Sequence, residues 1–235
     1  MDSMAGAFDG RLKGCATLDE VWALVDELNR RYFPKNRLLP ILGGGESHRP
    51  KFMFVFINPT ARNISSDPSW EGPRFPFIGT GRVWQVFHRA GLLDDALMEQ
   101  MGRQGVWCPD FARRVARFLK GKSLYITNLV KWTGRDAALP DTGKIRLFLP
   151  FLEREIEIVQ PRYIVAFGTI PFKSITKRSI TLQDYHADAM KTGKLRPFIA
   201  RIGSVERKVI PCYFPVGRGN PQKAIELLKL VGSLE

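Results

Sequence analysis

The sequence predicts an α/β protein in three layers, with a central four-stranded parallel sheet and helices on both faces. Four continuous apolar segments predict the strands, at 52–57, 123–127, 163–167 and 208–214. Strands that are apolar on both faces are typical of a parallel sheet buried between helices. Helical patterns lie between the segments, and this alternation of strands with helices indicates an α/β architecture.

The helices are predicted from the spacing of apolar residues. Thr17 and Glu20 form a capping box ahead of an amphipathic helix. Further helical patterns cover about 81–100, 108–120, 143–160 and 220–233. The Gly- and Pro-rich residues 34–50 predict a loop, and 176–200 predict a second, because their periodicity is weak. Pro211 lies within the last strand and indicates an edge strand or a bulge, since proline has no N–H to donate.

Composition favours a globular protein that binds a polyanion. The chain has 235 residues, and we expect a single domain over residues 1–235. Its 36 Lys and Arg outnumber 23 Asp and Glu, which gives a net charge of +13 and favours nucleic acid as the partner. No run of about 18 apolar residues and no secretion signal is present, so we expect no membrane contact and a cytoplasmic location, nucleoid-associated or nuclear.

The cysteines argue against a disulfide framework. Cys15, Cys108 and Cys212 are odd in number and far apart in the chain. Three cysteines also exclude a four-cysteine zinc or iron–sulfur site within one chain. The sequence therefore predicts free thiols in a reducing compartment.

Polar and turn-forming residues follow three of the predicted strands. Asn58, Pro59 and Thr60 come after the first strand, Asn128 after the second, and residues 215–220 after the fourth. Ligands of an open parallel sheet bind beyond the carboxyl ends of its strands. We therefore expect these segments to converge on one functional crevice.

Each segment also has a purely structural interpretation. Asn128 offers a donor and an acceptor to a nucleobase edge, although a turn or cap is the commoner role of such an Asn. The loop after the first strand carries Trp70, Phe75 and Phe77, which either cover the core or stack on a planar ligand. Residues 214–222 are either a Gly-rich connection or a phosphate site at a helix N-terminus.

The segment 173–208 is strongly basic. It contains nine basic residues and three acidic ones. A solvated surface would explain such an excess, but together with the overall charge it favours contacts with phosphate groups.

Four short motifs, in order along the chain, resemble those of the uracil-DNA glycosylase superfamily. Residues 54–92 are similar to the mismatch-specific branch, with F-I-N-P-T at a strand end and a later F-P-F element before a helix. Residues 125–132, Y-I-T-N-L-V-K-W, resemble the T-N-x-V-K segment of the thermostable iron–sulfur branch. Residues 164–168, I-V-A-F-G, match a strand of the superfamily, and 214–222 stand where it has an H-P-S or N-P-S motif.

This resemblance implies the glycosylase fold and a role for each matching residue. Asn58 would position the attacking water, Phe77 would stack on a flipped base, and Asn128 would read the edge of that base. Substrate contacts are implied for Ile57, Pro59, Thr60, Phe77 and Asn128. DNA contacts are implied for Lys131, Pro215, Val216, Gly217, Arg218, Gly219 and Asn220.

The implied activity is that of a monofunctional DNA glycosylase in base excision repair. It would hydrolyse the N-glycosidic bond of uracil, or of another deaminated base, in uracil-containing or mismatched DNA. A monomer that needs no metal or other cofactor is expected. A protein acting on free nucleosides is disfavoured, because a small substrate does not need a charge of +13.

The sequence departs from the superfamily pattern in three places. Asn58 replaces the Asp or Glu of the faster branches, and an amide orients water without accepting its proton. Thr60 replaces a Gly, and Phe214 replaces a His. Asp67 and Glu71 are either surrogate bases or solvated carboxylates. The alternative that stays open is a protein on the same fold that binds DNA or modified bases without cleaving them.

Overall fold

The structure, a computed structural model, describes residues 2–103, 105–136, 138–217 and 219–234, with side chains from Phe8 onward. Its helices are α1 (Asp2–Gly14), α2 (Leu18–Tyr32), α3 (Arg82–Arg89), α4 (Asp95–Met101), α5 (Pro109–Gly121), α6 (Thr142–Val159), α7 (Thr169–Thr176), α8 (Leu182–Thr192) and α9 (Pro221–Gly232), with a 3-10 turn at Ile64–Ser66. Its strands are β1 (Gly44–Gly45), β2 (Phe52–Phe56), β3 (Leu124–Asn128), β4 (Tyr163–Phe167), β5 (Phe198–Ile202) and β6 (Val205–Cys212).

The strands form one mixed sheet in the order β1-β3-β2-β4-β6-β5. The four inner strands are mutually parallel, which confirms the predicted parallel sheet. β1 and β5 pair antiparallel at the two edges, so the sheet has six strands where the sequence predicted four.

The two faces of the sheet are each covered by helices, which confirms the three-layer architecture. Phe54 and Phe56 of β2 point into a core shared with α3, α4, α5 and α9. Met53 and Val55 of the same strand point into a second core shared with α1, α2, α6 and α7. Alternate residues of one strand thus enter opposite cores, as the two-residue period of a strand requires.

The N-terminal helices pack on the second core. Thr17 and Glu20 form the predicted capping box at the start of α2. Phe8 of α1 lies 5.9 Å from Phe151 of α6, measured between ring centroids. This shared core supports a single domain over residues 1–235, which stays a prediction.

Two predicted segments differ from the structure. The helical pattern at 81–100 is two helices, and Gly91, between them, has φ = 77°, a conformation that suits glycine. The loop predicted at 176–200 is wrong, because α8 and the start of β5 lie there. Their pattern is weak for a physical reason: Ala189 is the one buried residue of α8, and Ile199 of β5 is 49% exposed.

The structure shows the outcome for two features of the sequence, Pro211 and the three cysteines. β6 is paired on both sides at Lys208 and Val209, and Pro211 pairs only with β4 and lies beyond the end of the pairing with β5, so its missing N–H costs no hydrogen bond on that side. Cys15, Cys108 and Cys212 are all free, as predicted.

Of the helices in the described part of the chain, none has the length and apolarity to cross a membrane.

Candidate active site

The carboxyl ends of the parallel strands meet around the ring of Phe56, the last residue of β2. Phe56 is level with Asn128 of β3 in the strand register. Its ring stacks on Phe167 of β4, with centroids 4.4 Å apart and planes at 9°. Phe77 and Phe214 contact it edge-on, at 4.6 and 6.4 Å. The strand-end segments and the Phe77 loop therefore converge, as the sequence analysis expects.

Asn128 is buried and its side-chain amide lacks a partner. The residue is 1% exposed, and its Nδ2 makes no hydrogen bond within the described structure. Leaving such a donor unpaired costs about 1–3 kcal/mol, so buried polar groups are nearly always bonded. An acceptor supplied by a ligand would satisfy this amide.

A buried ion pair lies behind Asn128. Lys131 Nζ is 2.5 Å from Glu155 Oε2, and both side chains are fully buried. The Tyr125 hydroxyl donates to Glu155 Oε1 at 2.6 Å, and the Thr127 hydroxyl donates to the same carboxylate at 3.0 Å. Lys131 also donates to the Asn128 backbone carbonyl at 2.8 Å. The network therefore ties the end of β3 to α6.

Burial controls the protonation of this network. It lowers the pKa of Lys131, against the opposing effect of Glu155. It also raises the pKa of Tyr125 well above its usual value, and the neighbouring Glu155 adds to the rise. The DNA contact predicted for Lys131 is not compatible with this placement, because its ammonium is sealed from any phosphate.

Glu155 is not among the site residues predicted from the sequence, although one signal marks it. Phe151, Leu152, Ile156 and Val159 form the buried face of α6, and Glu155 falls on the same face. A carboxylate on an apolar stripe requires a buried partner.

Asn58 lies just beyond β2, where the chain runs beside the segment that follows β3. Val130 N donates to Ile57 O at 2.9 Å, and Gly134 N donates to Pro59 O at 3.1 Å. Asn58 is half-exposed, and its Nδ2 donates to the carbonyl of Pro59 at 3.2 Å. Its Oδ1 has no partner among the described residues, so it is free to accept a hydrogen bond from water.

Thr60 and Asn63 shape the turn after Asn58. Thr60 forms an isolated bridge with Gly134, and its hydroxyl accepts from Arg62 N at 3.4 Å. Asn63 is buried, and its Nδ2 donates to Phe75 O at 2.8 Å. These contacts fix the loop that carries Phe77.

Of the three loop aromatic residues, Phe77 is best placed to meet a ligand. Phe75 is fully buried in the core, and Trp70 Nε1 donates to Pro73 O at 3.0 Å. Phe77 is half-buried and has φ = 71°, a strained conformation for a residue with a side chain. Its carbonyl accepts from Trp84 Nε1 at 3.0 Å, which helps to hold that conformation.

The two loop carboxylates have the features of solvated groups. Asp67 is exposed, and the Ser69 hydroxyl and N–H lower its pKa by donating to it. Glu71 is also exposed. A lowered pKa makes Asp67 a poor base, and the exposure of Glu71 is that of a solvated loop carboxylate.

The loop after β6 closes the same end of the sheet. Pro215 is buried, Val216 is half-buried, and Gly217 is exposed with φ = 62°. A Cβ at Gly219 would lie 1.9 Å from Phe214 O, so this turn requires glycine. The Asn220 side chain accepts from Lys223 N at 3.0 Å and caps α9. Arg218, predicted to contact DNA, lies outside the described residues.

The basic segment 173–208 does not form one surface. Lys177 pairs with Glu153 at 3.7 Å, and Arg196 pairs with Asp188 at 3.5 Å. Lys208 pairs in register with Tyr163, the first residue of β4, which places it at the amino ends of the strands. The segment therefore spans both ends of the sheet, and its charges cannot all contact one DNA segment.

Comparison with known proteins identifies the family. The model of the uracil DNA glycosylase superfamily matches residues 43–229 of the 235-residue chain. A search of curated proteins found no match. The matched range contains the four parallel strands, Asn58, Phe77 and Asn128, and the chain therefore belongs to the uracil DNA glycosylase superfamily.

Proposed function

We propose that this chain is a monofunctional DNA glycosylase that removes uracil, or another deaminated base, from DNA. The observation that carries the proposal is the unpartnered Nδ2 of Asn128, buried where the parallel strands end. Family membership supports a DNA glycosylase. Asn128 and Phe77, which lie around Phe56, support uracil or a similar base as the one removed.

The amide of Asn128 has the hydrogen-bonding pattern that uracil requires. Its N–H₂ can donate to the O4 carbonyl, and its Oδ1 can accept from the N3–H. Cytosine presents the donor and the acceptor in the reverse order, so the same amide rejects it. Phe77, on the rim, would stack on the face of the base.

Hydrolysis breaks the bond between C1′ and the base nitrogen and adds water at C1′. Asn58 Oδ1 would orient that water, and its dipole would favour the positive charge that develops on the sugar. Because an amide cannot take the proton, the departing base carries the electron pair away as a stabilised anion. The water proton passes to solvent, and an abasic site remains.

The base must leave the DNA stack before this chemistry begins. Extrusion costs a few kcal/mol, and less at a mismatch. Val216, half-buried on the loop after β6, is placed to fill the vacated space, and nearby backbone groups would hold phosphates. Because Asn128 is 1% exposed, its covering must move before a base can reach it. A monomer suffices for these steps and stays our expectation.

A second candidate function rests on that same burial. If the covering of Asn128 does not open, no base reaches the amide, and the protein would bind DNA without cleaving it. Thr60 and Phe214 favour this alternative, because Thr60 stands where the superfamily pattern has Gly and Phe214 where several of its branches have His.

The two functions are separated by a single-turnover cleavage assay. A labelled oligonucleotide carries one uracil opposite G, opposite A or unpaired, and alkali then breaks abasic sites. Asn58→Ala and Asn128→Ala should each slow the reaction by roughly 10²–10³-fold, as for loss of one transition-state hydrogen bond. Gln85→Ala removes an exposed amide from α3 and should leave the rate unchanged.

The assay has a decisive negative outcome. Hypoxanthine, xanthine and thymine opposite G are tested in the same format, since pocket size sets the base removed. If every substrate stays intact while the DNA is bound, the glycosylase proposal is refuted and the binding function is preferred.

A further inference from the structure

A basic hollow lies at the end of the sheet opposite the candidate active site. It has a volume of about 480 Å³, and four of its lining residues are Arg49, Arg162, Arg207 and Lys208. Arg49 precedes β2, Arg162 precedes β4, and Lys208 is level with the first residue of β4. The hollow therefore faces away from Asn128, which ends β3 at the carboxyl edge.

Hydrogen bonds hold the backbone at the positions of these cations. Arg49 has φ = 49°, and its N–H donates to Val159 O at 2.8 Å. Arg162 N donates to Pro50 O at 2.9 Å. Arg207 and Lys208 belong to β6, which is paired on both sides at Lys208. The backbone that carries these positive charges is thus fixed.

The four cations of the hollow have no acidic partner. Within the described ranges of the chain none of them forms an ion pair, and Glu206 is the one carboxylate that lines the hollow. Arg207 Nε is buried and lacks a hydrogen-bond acceptor. Four like charges around one concavity repel each other unless an anion enters. The hollow is therefore built to receive negative charge.

The chemistry of the lining favours phosphate, and the lining exposes no aromatic ring on which a base could stack. Guanidinium groups match the oxygens of a phosphate with two parallel hydrogen bonds. The ring of Tyr163 is 6% exposed and is covered by Arg162 and Lys208, whose charged atoms lie 5.6 and 5.4 Å from its centroid. A phosphate backbone fits such a site better than a free nucleotide, whose base would meet no exposed aromatic ring.

We propose that this hollow binds the phosphate backbone of a second DNA duplex. The first duplex occupies the carboxyl end of the sheet under the proposed function, and in that respect this inference rests on it. One molecule would then hold two DNA segments at opposite ends and could pass directly from one to the other. Both contacts would contribute to the salt dependence of binding, because each releases counterions from DNA.

A bridging experiment tests the proposal. A short biotinylated duplex on beads captures the full-length protein, and retention of a second, fluorescent duplex is measured. The hollow variant carries Arg49→Gln, Arg162→Gln and Arg207→Gln. Its control, Lys13→Gln with Arg30→Gln and Arg103→Gln, removes the same charge from exposed positions elsewhere. Thermal unfolding verifies that each variant folds, and a third variant replaces the three hollow arginines with lysine.

Wild type and control should retain the second duplex, and the hollow variant should lose about tenfold in retention. The slope of log retention against log salt should fall by about 2–3 for three lost phosphate contacts. The lysine variant should keep most of the retention, which a merely structural role of the arginines would not predict. Cleavage of a short uracil duplex should be unchanged in the hollow variant.

Three results would overturn one proposal or the other. Equal retention by the hollow variant and the control refutes the second duplex site and leaves the proposed function intact. In a second outcome, wild type binds one duplex without retaining another, and the hollow variant binds none. The hollow is then the one DNA site, and DNA docking at the carboxyl end is refuted. In a third outcome, wild type retains no second duplex but binds inorganic triphosphate, and the hollow variant loses that binding. The ligand of the hollow is then a free polyphosphate, and the inference is overturned.

Discussion

Replacing Lys131 with methionine should destabilise the protein strongly, because it leaves a buried carboxylate without the cation beside it. Lys131 and Glu155 are both fully buried, and their charged atoms are 2.5 Å apart. Removing one partner of such a pair costs about 3–5 kcal/mol. A protein of 150–250 residues loses about 2–4 °C of Tm per kcal/mol, so a fall of roughly 6–20 °C is expected.

A second substitution separates charge from packing. Lys131→Met combined with Glu155→Gln removes both charges and leaves an amide that can still accept from the hydroxyls of Tyr125 and Thr127. The double variant should therefore regain most of the loss, since a neutral replacement of a buried pair is often nearly neutral in stability.

The assay is urea and thermal unfolding of the three proteins, with Lys144→Met as the control. Lys144 pairs with Asp141 at 2.5 Å, but that carboxylate is 58% exposed, so its loss should cost no more than about 1 kcal/mol. A loss below about 1 kcal/mol for Lys131→Met would refute the reasoning. So would a double variant no more stable than the single one.

Two further predictions concern a turn and a helix cap. Gly219→Ala should lower the Tm markedly, because its Cβ would lie 1.9 Å from Phe214 O. Gly217→Ala is the control: its Cβ has open space, and its positive φ costs about 1 kcal/mol of stability. Equal Tm values for the two variants would contradict this reasoning. Glu20→Gln should destabilise α2 at neutral pH. Hydrogen bonding from the Thr17 backbone lowers the pKa of the Glu20 carboxyl group below its usual value. The stability that the charged carboxylate adds is therefore present at neutral pH and is lost as the pH falls through the lowered pKa. Unfolding of wild type and variant should therefore converge in acid, and a constant difference would contradict the assignment.

The parallel part of the sheet could be predicted because its strands are buried on both faces. β4 lies at 163–167 in both the prediction and the structure. The edges could not be predicted in the same way. β5 alternates exposed and buried residues, and β1 is two glycines, so neither has the apolar run that marks the inner strands.

At the candidate site, too, some features can be predicted from the sequence and others cannot. Asn128 was recognised as a polar residue at a strand end, but its lack of a partner depends on neighbours that are distant in the chain. The resemblance implies a DNA contact for Lys131, and no local pattern shows its burial, because its partner lies 24 residues away on α6. A sequence pattern indicates which residues are unusual for their position, and the packing decides whether their polar atoms are paired.

The two-residue strand β1 has a consequence for self-association. Gly44 and Gly45 pair antiparallel with β3 and cover the edge that it would otherwise expose. An open edge strand is a template on which another chain can add a strand of its own. A Cβ at Gly45 would lie 2.2 Å from Leu124 O, so a side chain there would push β1 away from β3. Two residues without side chains thus cover Tyr125 and Ile126 of β3, the strand that carries Asn128, against pairing with a strand of a second molecule.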